Sequence, residues 1–207
     1  MRIVKIKICG ITNLEDAQVA VDMGADIIGF NFYPKSPRFV GPDVALDIIN
    51  KLPTFVDTAA VFVNAHLDQI KGMIEQGFLN WLQFHGDETP EFCDEFKWYN
   101  IRTIKAIRVK SNESIEKARD YSTDAILFDA YDKTLYGGTG KTFDWKLIRD
   151  FETRVFLAGG INAENIIGAV DTGVYGIDIC GGIESEPGKK DHTKMKELFD
   201  NLKHVRG

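Results

Sequence analysis

Cysteine is scarce in this chain, with three in 207 residues: Cys9, Cys93 and Cys180. They show no C-x-x-C spacing, so neither a disulfide framework nor a thiolate metal site is expected. A reducing, cytoplasmic setting is the expectation. No apolar run approaches the roughly 18 residues that span a bilayer. The first residues read as a charged strand, not as the apolar core of a signal peptide. No membrane partner is expected. Lys and Arg number 25 against 31 Asp and Glu, a formal charge of −6, and no basic block stands out. Nucleic acid is therefore not an expected partner. An anionic ligand would need local donors to hold it against the overall field. No G-x-G-x-x-G follows the first strand, which argues against an open dinucleotide-binding sheet. Of four histidines only His85 falls at a strand end. It has no second histidine or acid at ligand spacing, so no metal is expected. No nucleophile elbow is present. No low-complexity tract or composition shift divides residues 1–207, and one domain is expected.

Against these absences stands a repeating pattern. Hydrophobic residues make up 44% and charged residues 27%, enough for a large core and a soluble surface. Eight short apolar stretches recur at nearly even intervals: 3–9, 27–32, 59–63, 81–85, 103–109, 125–129, 155–158 and 176–180. Segments with helical periodicity lie between them. Thr12-Asn13-Leu14-Glu15 reads as a capping box opening the first helix. Pro42 and Pro90 suit the first turns of the second and fourth helices. Asn162 reads as the N-cap of the helix after strand seven, and a last helix is expected around 194–202. Eight strand–helix repeats predict a closed parallel (β/α)8 TIM barrel with right-handed crossovers.

In such a barrel the site lies at the C-terminal strand ends. The first strand alternates: Val4, Ile6 and Ile8 face one way, Lys5, Lys7 and Cys9 the other. A lone cysteine is commonly a small buried hydrophobe. Cys9 instead ends a polar face, where Lys7 could lower its pKa from about 8.5; alternatively, Lys7 pairs with an inward acid such as Asp178. Asp129 closes the apolar run from Ala125 and reads either as a loop cap or as a general acid or base. Gly159-Gly160 and Gly181-Gly182 make tight turns after strands seven and eight, where barrels commonly bind phosphate through backbone N–H groups. Arg38, in Ser36-Pro37-Arg38, is either solvated surface or a bidentate holder of a substrate carboxylate. Gln83 and His85 share one face at the end of strand four. Gly137-Gly138-Thr139-Gly140-Lys141-Thr142 lacks the glycine that a phosphate-binding P-loop needs at position 135, which is leucine. It reads as a loop able to close over the site.

Together these pieces resemble the phosphoribosylanthranilate isomerase (TrpF) family. The matching residues are Lys7-Ile8-Cys9-Gly10-Ile11-Thr12, Gly29-Phe30-Asn31-Phe32, Ser36-Pro37-Arg38, Gln83-Phe84-His85-Gly86, Phe128-Asp129, the run from Tyr136 to Trp145, Leu157-Ala158-Gly159-Gly160-Ile161, and Asp178 with Gly182-Ile183-Glu184. One departure is visible: the family usually has serines after the strand-eight aspartate, where this chain has Cys180-Gly181. The resemblance implies a cofactor-independent Amadori rearrangement of a phosphosugar-anthranilate substrate. It implies Cys9 as general base and Asp129 as general acid. Arg38, Gln83, His85 and Asp178 would contact substrate, and Gly159, Gly160, Gly181 and Gly182 the phosphate. A monomer or a homodimer is expected. The neighbouring family of ProFAR isomerases carries an aspartate where Cys9 stands. A non-catalytic phosphosugar-binding protein would have no use for both Cys9 and Asp129. The implied chemistry needs a thiolate beside a protonated carboxyl, and reference pKa values of about 8.5 and 3.9 oppose that pairing by about 6 kcal/mol. The site has to narrow that gap.

Overall fold

Strand alternation decides the architecture. A computed structural model describes residues 4–130, 142–148 and 151–206; residues 136–141 of the glycine-rich segment lie outside them. The eight barrel strands are β1 (Lys5–Cys9), β2 (Ile27–Asn31), β3 (Asp57–Phe62), β4 (Trp81–Phe84), β5 (Arg102–Val109), β6 (Ala125–Ala130), β7 (Arg154–Leu157) and β8 (Gly176–Ile179). They close in sequence order into a (β/α)8 barrel. Every neighbouring pair is parallel, including the seam, where Lys7 of β1 faces Asp178 of β8.

Inward side chains form their own apolar layer: Ile27, Ala59, Trp81, Ile104, Ala106, Ala125, Leu127 and Phe156. Outward ones such as Ile6, Ile8, Phe30, Phe62 and Phe84 pack beneath the helices. This in–out division is the period-two rule acting on a sheet buried on both faces.

The helices are α1 (Leu14–Asp22), α2 (Pro42–Ile49), α3 (Leu67–Glu75), α4 (Pro90–Asp94), α5 (Asn112–Lys117), α6 (Ile166–Asp171) and α7 (His192–Arg206). Between β6 and β7 the described residues hold only a 3₁₀ turn, Trp145–Leu147. Pro42 and Pro90 sit in the first turns of α2 and α4, as the sequence predicts. Two capping expectations shift. Asn13, not Thr12, caps α1, accepting from the Asp16 N–H at 2.9 Å; the Thr12 hydroxyl instead donates to the Gly188 carbonyl. Asn165 occupies the N-cap position of α6. The Asn162 side chain accepts from the amides of Glu164 and Asn165 and closes the turn before it.

A small hairpin not foreseen from the sequence, β9 (Glu184–Glu186) and β10 (Lys189–Lys190), follows β8. It folds Lys190 back beneath the mouth. Lys190 Nζ donates to the carbonyls of Cys9 (2.7 Å) and Cys180 (3.2 Å) and to Glu184 Oε1 (3.0 Å). All three ammonium protons are thereby used.

Candidate active site

The C-terminal strand ends enclose a cavity of about 360 Å³, within the range of small-molecule sites. Cys9, Asn31, Arg38, His85, Asp129, Asp178 and Cys180 line it, with Gly159, Gly160, Gly181 and Gly182 on the strand-seven and strand-eight loops. Nine of the ten residues singled out from the sequence therefore meet in one place. Gln83 is the exception. It is fully buried and absent from the lining.

Gln83 stands one residue removed from the cavity, behind His85. Its Nε2 lies 2.9 Å from His85 Nδ1. His85 Nε2 lies 3.3 Å from Asp129 Oδ2. With the amide NH₂ donating to Nδ1, the imidazole proton sits on Nε2 and points at the carboxyl. Gln83 Oε1 is buried and has no hydrogen-bond partner among the described residues. Turning the amide over would present that oxygen to an Nδ1–H and leave Nε2 as an acceptor, so this glutamine can pair with either tautomer. Asp129 Oδ1 accepts from the Ala130 N–H at 2.8 Å, which fixes the carboxyl at the end of β6.

Beneath Cys9 lies a buried ion pair. Lys7 Nζ and Asp178 Oδ1 are 2.9 Å apart, with side chains 0% and 6% exposed. Both open alternatives for Lys7 hold, since it pairs with Asp178 and also neighbours Cys9. Desolvation alone would lower the Lys7 pKa, but the charges of Asp178 and Cys9 carry it above its ordinary value. Burial pushes Asp178 up to about 7 even beside that ammonium. The Cys9 thiol is held well below its ordinary value. Its hydrogen bond with Cys180 is the main cause, acting against desolvation, and Lys7 and Lys190 add to it. Cys180 goes the other way, pushed up by the same hydrogen bond and by burial.

Arg38 reaches the cavity, but its fork is not open. Nε lies 2.9 Å from Glu184 Oε1 and Nη2 lies 2.6 Å from Oε2. A substrate carboxylate would thus meet a guanidinium already seated on a carboxylate, with Nη1 the edge left over. Burial disfavours the Glu184 charge, yet the Arg38 hydrogen bonds and Lys190 hold its pKa below the usual value. Glu184 and Lys190, which hold the mouth together, are among the site residues to which the sequence assigned no role. The available signal was Pro187-Gly188, a turn dipeptide between two short polar segments.

The glycine loops are built for close approach. Gly159 and Gly160 have φ of 91° and 61°, where side chains are strained. A Cβ on Gly182 would lie 1.9 Å from the Ile161 carbonyl oxygen. The amides of Gly160, Gly181 and Gly182 donate to no other described residue, which leaves their N–H groups without a partner at residues that line the cavity. Among the described residues no group of three or more His, Cys, Asp or Glu could hold a metal ion. None of the described helices is long and apolar enough to cross a membrane.

Residues 6–201 match the family model described as N-(5'phosphoribosyl)anthranilate (PRA) isomerase. An N-(5'-phosphoribosyl)anthranilate isomerase of Pelobacter propionicus is 44% identical over 206 residues, covering 98% of this chain and 97% of that one. The crystal structure of phosphoribosyl anthranilate isomerase from Thermus thermophilus superposes with a TM-score of 0.90 at 33% identity, covering 98% of this chain and all of that one. A phosphoribosyl anthranilate isomerase solved with reduced 1-(o-carboxyphenylamino)-1-deoxyribulose 5-phosphate gives 0.82 at 37% identity, covering 97% and 99% of the two chains. With a barrel and mouth of this kind and likeness along nearly its whole length, the chain belongs to the N-(5'-phosphoribosyl)anthranilate isomerase family, aldose–ketose isomerases of tryptophan biosynthesis.

Proposed function

We propose that Cys9 and Asp129 are the base and acid of an Amadori rearrangement. The reaction converts N-(5'-phosphoribosyl)anthranilate to 1-(2-carboxyphenylamino)-1-deoxyribulose 5-phosphate. The observation that carries this reading is that a thiol of lowered pKa and a carboxyl line one cavity. The unpaired glycine amides line it too.

The substrate phosphate sits on the amides of Gly160, Gly181 and Gly182, which present backbone donors to an anion. The anthranilate carboxylate meets Nη1 of Arg38. Asp129 protonates the furanose ring oxygen, and the ring opens to an iminium. The Cys9 thiolate then removes the C2′ proton, giving an enolamine that tautomerises to the ketone. When Asp129 gives up its proton, its carboxylate is received by the Nε2–H of His85, and the Gln83 amide fits the resulting tautomer. The thiolate half of the opposing pKa difference is narrowed by Cys180, Lys7 and Lys190.

The test is turnover followed by loss of anthranilate fluorescence. Cys9→Ser and Asp129→Asn are each expected to lower kcat by about 10²–10⁴-fold. Cys9→Ser should also abolish the acid limb of the pH–rate profile. A profile unchanged in Cys9→Ser removes the base assignment.

A further inference from the structure

Two thiols occupy this site, and the rearrangement uses one. The β1–β8 ladder ends with Ile8 facing Ile179, and Cys9 and Cys180 are the residues that follow it at the cavity; a Cβ on Gly10 would lie 3.0 Å from Cys180 Sγ, which puts that sulfur beside the residue next to Cys9. Opposed residues on neighbouring strands are about 5 Å apart, inside the Cα window of about 4.4–6.8 Å that a disulfide requires. Both side chains line the same cavity, and both cysteines are free. Lys190 ties the two backbone carbonyls together from below, which holds the strand ends in register.

We propose that Cys9 and Cys180 form an oxidisable pair, which a hydroperoxide converts to an intramolecular disulfide across the mouth of the barrel. The Cys9 thiolate attacks the terminal oxygen of the peroxide. An S–O bond forms, the O–O bond breaks, and the leaving alkoxide takes a proton as the alcohol. The Cys180 sulfur then attacks the Cys9 sulfenic acid. An S–S bond forms, the S–O bond breaks, and hydroxide leaves as water with the Cys180 proton. Two thiols lose two electrons, and the peroxide is reduced to alcohol and water.

The surroundings suit each step. Cys9 has the thiolate character that attack on peroxide requires. Its resolving partner lines the same cavity, so the sulfenic acid is captured before further oxidation. Cys93 provides an internal control. It is buried in α4, and burial pushes its thiol up to about 12, so it should stay reduced.

The disulfide does not depend on the base assignment; the expectation that it stops turnover rests on Cys9 being the base. The reduced protein is titrated with hydrogen peroxide, quenched by alkylation, digested and mapped by mass. A cross-linked peptide pair joining residues 9 and 180, about 2 Da lighter than the two thiol peptides, is expected. It should appear in step with loss of turnover, and a dithiol should reverse both. In Cys180→Ala and Cys180→Ser, Cys9 should instead gain one or more oxygens with no cross-link, and the dithiol should no longer restore the Cys9 peptide fully. Cys9 running to the sulfinic acid in the unmutated protein, with no cross-linked pair, overturns the proposal. A cross-link that leaves turnover intact upholds the pair and overturns the base assignment.

Discussion

Among the buried lysines that have a carboxylate partner, Lys7 and Lys105 lie on opposite faces of the barrel wall. Lys7 points inward from β1 to Asp178. Lys105 points outward from β5, under α4, to Glu88 at 2.8 Å, with both side chains 2% exposed. Their Coulombic geometry is nearly the same. Their surroundings are not. Lys105 also donates to the Gly86 carbonyl and lies over the Tyr121 ring, while Glu88 accepts from the amides of Asn64 and Gly86. That group is closed and ties the β3 and β4 loops together. Lys7 lies below a cavity, beside a thiol, with a partner whose own pKa burial has raised to about 7. Burying a charge is thus no mark of function by itself. The face of the strand from which it projects separates a loop tie from a source of field for chemistry.

Three substitutions sharpen that contrast. The largest effect is expected from Lys105→Met, which leaves the Glu88 carboxylate buried without its cation. Stability should fall by about 3–5 kcal/mol in denaturant titrations, with kcat little changed because Lys105 is not at the cavity. Next comes Lys7→Met. Asp178 can take up a proton and so limit the folding penalty, but Cys9 loses a cation. Turnover near neutral pH should drop by about tenfold to a hundredfold, and the pH dependence of Cys9 alkylation should move upward. Equal losses of stability and equal retention of kcat in the two variants would erase the distinction.

The smallest effect concerns pH. The folded-state pKa of Asp178, about 7, exceeds the unfolded value of about 3.9. Its contribution to stability is therefore present at acid pH and is lost as pH rises through 7. The slope is at most about 1.4 kcal/mol per pH unit. Cys9, lowered in the fold, contributes in the opposite sense, above its unfolded value. Asp178→Asn should flatten the decline between pH 4 and 7, as measured by denaturant midpoints. An unchanged slope would assign that proton elsewhere.

Much of this was readable in the chain. Every barrel strand falls within two residues of an apolar stretch, because sheets buried on both faces leave compact apolar runs that periodicity finds. Cys9, Asp129 and the glycine pairs were legible because each ends such a run. Lys190 was not, since a two-residue strand has no periodicity and its lysine looks like surface until β9 turns it under. Lys105 and Glu88 escaped for a related reason: they are distant in sequence and meet only when β4 and β5 pair. The closing of Arg38 on Glu184 likewise depends on the last hairpin meeting the β2 loop. The pairing of Cys9 with Cys180 depends on the β1–β8 register, which exists only once the barrel is shut.

That late hairpin bears on synthesis. The sulfur proposed for catalysis is residue 9, yet the ammonium that pins its carbonyl to the end of strand eight is residue 190, made 181 residues later. A nascent chain halted before that lysine would carry its proposed base on an unlatched edge. Competence should therefore arrive abruptly, once that hairpin has been made, rather than accumulate strand by strand.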